Sequence, residues 1–522
     1  MGDIVIGSGP AGVSAAMALA GQGRAVTLID AGERIEPENA ALRSRLAAVE
    51  PVEWDEGDVA ALLEPLRDEQ TDLMRPFGSE FPFRDPYGLF GAAGPPRDVE
   101  LRPSFATGGL SNGWGASVLP YRSEDLVDWP FDTAALAPDY AAVRDFMPVA
   151  ARSDELQRLF PALEIEEDTS LPPSSQAAEL LARLDGAREQ LARLGLHFGQ
   201  SRVAVASRAC RRCRMCLFGC PYQAIFHAGS VLERLRERPG FEHRAGLYAT
   251  RFEESEAGVR VLCRSTSNGE ELTLQGDRLF VGCGVLPTAQ LVLRSLDHYD
   301  ERVPLLDSQH FHLPMLQMWR PRGDPASESL HALTQLFVEL IDPEIDRRTV
   351  HFQFYTHNDF YASDMRKRLG PAAFLASPLI GWMSRRLIVA QGFLHSDVSP
   401  SVEMALSREG DAATLRLAPI ANPAAERVVA RARGRLARAL GPLGLRALTP
   451  LSRLGAVGSS FHCGGSFPMR ESPVGLESDT LGRPAGLARV HLIDASVFPS
   501  IPATTITLSV MANAHRIARR AV

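Results

Sequence analysis

The chain has 522 residues, 45% of them apolar and 23% charged, which excludes global disorder, a collagen-like repeat and a coiled coil and leaves room for more than one domain. A formal net charge of −8 and a pI near 6.0 argue against nucleic acid as the main partner. Lys367 is the only lysine, so a lysine nucleophile or Schiff base is excluded everywhere else.

The opening strand pattern lacks a basic flank and a small-residue cleavage site, so no secretory signal is read and a cytoplasmic enzyme is expected. Residues 4–6 form an apolar strand, a glycine turn follows, 11–20 are an alanine-rich helical run and 26–29 a second strand, predicting a βαβ unit. Residues 35–105 are rich in Pro, Glu and Arg with weak periodicity and are expected to be loops. Leucines at helical spacing predict a helix over 176–195, and a strand meander is expected over 246–282. Residues 305–420 alternate apolar and polar side chains, as in VHFQFYTHNDFY, predicting an antiparallel sheet with one polar face. Within them, the apolar stretch 371–383 is too short to span a bilayer; a buried helix is expected, with interfacial contact as the alternative. Residues 424–445 form an arginine-laced amphipathic helix with a solvated face. After 456, glycine-rich loops, a strand VHLID and a last helix return to the style of the first unit.

Gly7-Ser8-Gly9-Pro10-Ala11-Gly12 lies between strand and helix, and Asp30 closes the second strand. The glycines Gly7, Gly9 and Gly12 allow the tight turn, the approach of a pyrophosphate and close helix packing, while Asp30 can accept from ribose hydroxyls. An acidic residue there disfavours a 2′-phosphate. The motif alone leaves FAD and NAD open; its place at the start of the chain and the return of similar elements at the end suit a flavoprotein.

Cys210, Cys213, Cys216 and Cys220, followed by Pro221, have the spacing of a bacterial ferredoxin run, which wraps an iron-sulfur cluster. Zinc usually takes two separated pairs, and an unmetallated or disulfide-linked loop is the other alternative. Because the fourth cysteine of such a run can serve a second cluster, either Cys220 folds back, another cysteine completes the site, or the cluster has three irons. Arg208, Arg211, Arg212 and Arg214 would offset the thiolate charge, unless they simply form a solvated basic loop.

Three further stretches carry a family resemblance. Gly108-Gly109-Leu110-Ser111-Asn112-Gly113-Trp114-Gly115-Ala116 resembles the second flavin-contacting signature of the glucose-methanol-choline (GMC) oxidoreductases. The segment 281–293 is similar to that family's adenine-side segment. His462-Cys463-Gly464-Gly465, Gly482-Arg483 and the run 490–499 containing Asp494 resemble its closing signature. The resemblance implies an α/β (α+β) fold: a Rossmann-like FAD-binding domain from residues 1–150, 201–300 and 456–522, with 201–300 carrying the cysteine loop, and a substrate domain on an antiparallel sheet from 301–455 with a helical part at 151–200.

It also implies noncovalent FAD contacted by the segments holding Gly7, Gly9, Gly12, Asp30, Gly109, Ser111, Asn112, Trp114, Asp494 and Thr505. Relatives that attach the flavin use a histidine where this chain has Gly113. The reaction implied is oxidation of an alcohol to a carbonyl by hydride transfer, which needs a base near the hydroxyl, poised near neutral pH; His462 matches the family's catalytic histidine. The family's second position, His or Asn, aligns with Thr505, which can hydrogen-bond an alcohol but is no base; His515 is read as structural. A cluster-bearing branch resembling FAD-dependent sugar dehydrogenases has ligands matching Cys210, Cys216 and Cys220. Cys213 would be a fourth, favouring [4Fe-4S] over [3Fe-4S]. The expected protein is then a dehydrogenase of a sugar, glycoside or polyol, passing electrons to a protein or quinone acceptor. The alternatives are an oxygen-using oxidase with a structural metal and a non-redox flavoprotein lyase. His310, His312, Tyr355 and His357 could contact substrate but are read as packing, and Cys263, Cys283 and Cys463 as small buried residues.

Overall fold

A continuous apolar run can be buried on both faces of a sheet. Asp3–Ile6 (DIVI) is fully buried in the middle of a five-stranded parallel sheet ordered Val490–Leu492, Leu279–Val281, Asp3–Ile6, Val26–Asp30, Phe241–Ala245. This computed structural model describes residues 2–63, 74–358, 365–366, 370, 373–409 and 412–521; Lys367 and residues 371–372 of the apolar stretch lie outside them. Helix Pro10–Gly21 crosses between the first two strands. It starts on a proline, whose missing N–H costs nothing in a first turn. The closing helix Thr507–Arg520 packs on it, with Ser14 Oγ donating to the Met511 carbonyl at 2.7 Å.

The expected meander is three antiparallel strands, Leu247–Ser255, Gly258–Ser265 and Glu271–Gly276. A second antiparallel sheet runs in the order Leu445–Ala447, His310–Gln317, Leu387–Phe393, Val350–Tyr355, Leu336–Leu340, Leu196–Gln200, with Arg453–Leu454 beside its second strand. Alternation decides its two faces. Val350, Phe352 and Phe354 join Phe311 and Leu313 in a core covered by helices Ser175–Gly186 and Pro423–Leu440. His351, Gln353 and Tyr355 therefore take the other face, where register sets His310, Phe393, His351 and Glu339 in one row across four strands. A four-stranded sheet, Ala412–Ile420, Ser401–Glu409, Arg302–Asp307 and Cys463–Gly464, brings the histidine-bearing segment alongside Asp307.

Several local expectations are corrected. The 176–195 helix is broken at Ala187 into Ser175–Gly186 and Arg188–Arg193. The arginine-laced helix ends at Leu440. The 35–105 region is not all loop: it contains helices Pro37–Ala47 and Glu56–Leu63, with Glu38 in the first turn of one and Glu56 and Asp58 in that of the other, where acidic side chains favour the helix dipole. Helix Ala373–Ser384, expected to be buried, leaves Leu379 57% and Trp382 47% exposed.

Candidate active site

The glycine turn is shaped by backbone that tolerates no side chain. A Cβ on Gly12 would lie 1.8 Å from the Gly7 carbonyl oxygen, and one on Gly7 would lie 2.3 Å from that of Gly282. Helix Pro10–Gly21 has no side-chain cap, so its first amides point outward as an anion site. Ser8 Oγ donates to Asp30 and accepts from the Gly108 N–H at 3.0 Å, which clamps the second motif against the first. The other carboxylate oxygen of Asp30, Oδ1, is buried without a hydrogen-bond partner.

The second motif forms a 3-10 turn, Gly109–Asn112, entered through Gly108 at φ 92°. Its polar side chains brace the turn itself. Ser111 Oγ donates to the Gly108 carbonyl at 2.6 Å and accepts from the Ala228 N–H at 2.8 Å; Asn112 Nδ2 donates to the Thr107 and Gly109 carbonyls; Trp114 Nε1 donates to the Phe226 carbonyl at 2.9 Å. Asp494 caps helix Val285–Ser295, accepting from the Gly284 N–H at 3.0 Å and Thr288 Oγ1 at 2.5 Å. Burial holds its carboxyl above the usual range.

His462 sits on a loop fixed from below by Asp307, which accepts from the Gly458 N–H and from Ser460 Oγ, both at 2.9 Å. Ser460 Oγ in turn accepts the His462 N–H at 3.0 Å, and the Ser308 N–H donates to the His462 carbonyl at 3.0 Å. Phe461, at φ 58°, takes the left-handed conformation that turns the histidine inward. That is a costly state for a bulky residue, on the order of 1–3 kcal/mol, and one held by surrounding structure. The imidazole stacks on Phe393, centroids 5.1 Å apart, and its Nδ1 is buried without a partner. Burial first, then the neighbouring His351, pushes its pKa down to about 3. His462 is therefore neutral at pH 7, and a weaker base than the near-neutral value expected from the sequence.

Thr505 Oγ1 accepts from the Leu119 N–H at 2.8 Å, leaving its own proton to donate. Two residues along, Ser117 Oγ bonds Gln353 Oε1 at 3.2 Å on the polar sheet face, and Tyr355 donates to the same oxygen at 2.9 Å. His310 packs edge-on against His312 and is driven to about 3 by burial. His357 Nδ1 pairs with the Ser384 carbonyl at 2.8 Å, and His515 Nδ1 meets Asp139 at 2.7 Å, far from the His462 loop in its contacts. Sequence reasoning passed over His351. It is fully buried, pairs through Nδ1 with Glu339 at 2.7 Å, and lies near Phe393. The alternation in VHFQFY was the signal that placed it on the His462 side of the sheet.

Residues 3–51 match the FAD binding domain family. The chain opens on an FAD-binding domain. The whole fold is similar to that of pyridoxine 4-oxidase from Mesorbium loti (TM-score 0.60, 16% identity, covering 99% of this chain and 98% of that one) and of formate oxidase (TM-score 0.58, 13% identity, 99% and 97%). At such identities the likeness is one of fold, and the curated proteins contain no sequence match. The FAD-binding domain has what the cofactor needs. The uncapped helix amides suit the pyrophosphate, and the orphaned Asp30 oxygen suits a ribose hydroxyl.

The four clustered cysteines line one cavity with His331, Leu171 and Ile225, and all are free thiols. Backbone N–H groups donate to two of the sulfurs, Ala224 to Cys220 at 3.3 Å and Ala332 to Cys216 at 3.4 Å. Arg212, Arg214 and Gln223 adopt positive φ to wrap the loop around the cavity. Among the described residues no three His, Cys, Asp or Glu side chains are placed to hold a metal ion. A tetrahedral zinc would need sulfurs about 3.8 Å apart, given Zn–S bonds of about 2.3 Å, so the zinc alternative is not assembled. Burial raises the Cys213 thiol to about 11 and Cys216 further. Of the expected cationic neighbours, Arg211 faces Glu50 at 3.5 Å and Arg214 donates to the Ala326 carbonyl.

Proposed function

We propose that the chain is an FAD-dependent GMC-type oxidoreductase that oxidises an alcohol to a carbonyl, with His462 as the base. Bound FAD would supply the two-electron hydride acceptor. The observation that carries this reading is the neutral, buried His462, its Nδ1 unpartnered, fixed by the Asp307 hydrogen bonds in a chain with an FAD-binding domain. His462 takes the hydroxyl proton at a ring nitrogen, and the Thr505 O–H steadies the substrate oxygen. Stacking on Phe393 fixes the plane of the imidazole and keeps bulk water from it. The polar sheet face with Gln353 and Tyr355 favours a hydroxyl-rich substrate such as a sugar, glycoside or polyol. Residues 1–150, 201–300 and 456–522 are assigned to the FAD-binding part, and 151–200 and 301–455 to the substrate part.

The same reading extends to the cysteine loop as the holder of a [4Fe-4S] cluster. Support comes from the ferredoxin-like spacing, the N–H donors on Cys216 and Cys220 and the left-handed turns around the cavity. The four cysteines also line one shared cavity. Such a cluster would supply one-electron chemistry and favour a protein or quinone acceptor. Both solved structures of similar fold are of oxidases, which makes oxygen the second reading. The test is a panel of polyols and simple alcohols mixed anaerobically with the purified yellow protein, then with air or ferricyanide. Bleaching by a polyol with turnover on ferricyanide supports the dehydrogenase. Stoichiometric peroxide in air moves the reading to an oxidase, and no bleaching by any alcohol removes it.

A further inference from the structure

Among the described residues ten large apolar side chains are well exposed, and four of them lie together: Met318 (53%), Trp382 (47%) and Leu451 (55%) on one groove, and Leu379 (57%) beside Trp382 on its helix. Leu379 and Trp382 lie one helical turn apart on Ala373–Ser384. Trp382 lines an open groove with Leu316, Met318, Leu448, Pro450 and Leu451.

The charge of this face is opposite to that of the protein. Its three contributing segments, residues 316–323, 376–386 and 443–455, contain six arginines and no acidic residue, in a chain of net charge −8. Arg322 and Arg385 are paired with Glu179 and Asp324 from outside those segments. Arg320, Arg446 and Arg453 have no ion pair among the described residues, and Arg386 lies over the Trp382 ring at 5.1 Å. A second copy of the chain meeting this face in a two-fold contact would oppose arginine to arginine. An anionic bilayer satisfies both halves of the surface: leucine, methionine and tryptophan enter the acyl boundary while the arginines meet the headgroups.

We propose that this face docks the protein on an anionic lipid surface. The docking is peripheral, since no helix among the described residues is long and apolar enough to cross a membrane, and it does not depend on the alcohol-oxidising reading. The test is co-sedimentation of the FAD-loaded protein with vesicles of phosphatidylcholine containing phosphatidylglycerol, against pure phosphatidylcholine, at low and high salt. Binding to the anionic vesicles alone, weakened by salt, is the expected result. Exchanging Arg320, Arg446 and Arg453 for Gln lowers the partition about fivefold each, on the order of a hundredfold together. The pair Leu379→Ser and Trp382→Ser abolishes binding, and flavin absorbance and sedimentation coefficient stay unchanged in both variants, which separates loss of docking from misfolding. No anionic-vesicle binding by the wild type overturns the proposal, whether the protein is then monomeric or a dimer that Trp382→Ser dissociates. Equal binding by wild type and both variants overturns it as well.

Discussion

Replacing Asp307 with Asn isolates the cost of the charge beneath His462. Burial raises the Asp307 carboxyl from 3.8 to about 6, against the opposing pull of hydrogen bonds from Gly458, Ser460 and Cys463. The folded protein thus holds this proton more tightly than the unfolded chain. The associated stability is fully present below pH 3.8, declines as pH rises through about 6, and is gone above it. The distance between the two values corresponds to about 3 kcal/mol. Asn carries no such ionisation, while its amide can still accept from the Gly458 N–H and reach Ser460 Oγ. Urea unfolding of wild type and Asp307→Asn from pH 4 to 7 is the assay, because the difference between the curves removes every other carboxylate. The wild type is predicted to lose about 2 kcal/mol of this relative to the variant across that interval. Parallel curves would refute the claim that Asp307 is buried with its charge at a cost.

Other consequences follow from contacts already described. Gly12→Ala drives a Cβ into the Gly7 carbonyl at 1.8 Å, so the variant is expected to purify without flavin, as its visible spectrum would report. Glu339→Ala leaves the fully buried His351 Nδ1 without its hydrogen-bond partner and is expected to cost about 1–3 kcal/mol in chemical denaturation, whereas an exposed pair such as Arg193 with Glu189 contributes at most about 1 kcal/mol. Anaerobically purified protein is expected to contain four irons per chain and to gain an electron paramagnetic resonance signal on dithionite reduction. A signal in the oxidised sample that fades would indicate three irons, and iron-free protein would end the cluster reading.

Local patterns carried most of what could be read from the chain. The βαβ unit was legible because Gly7, Gly12 and Asp30 act within some thirty residues, and the polar sheet face because VHFQFY has a period of two. What was not legible depended on distant partners. Ser111 and Trp114 tie the second motif to the backbone at 226–228, a partnership that no local pattern announces. His351 gained meaning only when register placed it beside Phe393 and Glu339. The apolar stretch ending in Trp382 reads the same whether it is buried or exposed, since periodicity reports hydrophobicity and not what covers it.

The central claim is that His462 takes the alcohol proton as the flavin is reduced. Anaerobic stopped-flow bleaching of the bound flavin by a polyol substrate, in wild type and His462→Ala of equal flavin content, tests it most directly. A general base of this kind contributes about 10²- to 10⁴-fold, so the variant should be slower by that factor. Because burial holds His462 near 3, the wild-type rate should show no acid limb between pH 5 and 8 from this residue. A variant within about tenfold of wild type, or a wild-type rate that falls through an ordinary histidine pKa, would contradict the account.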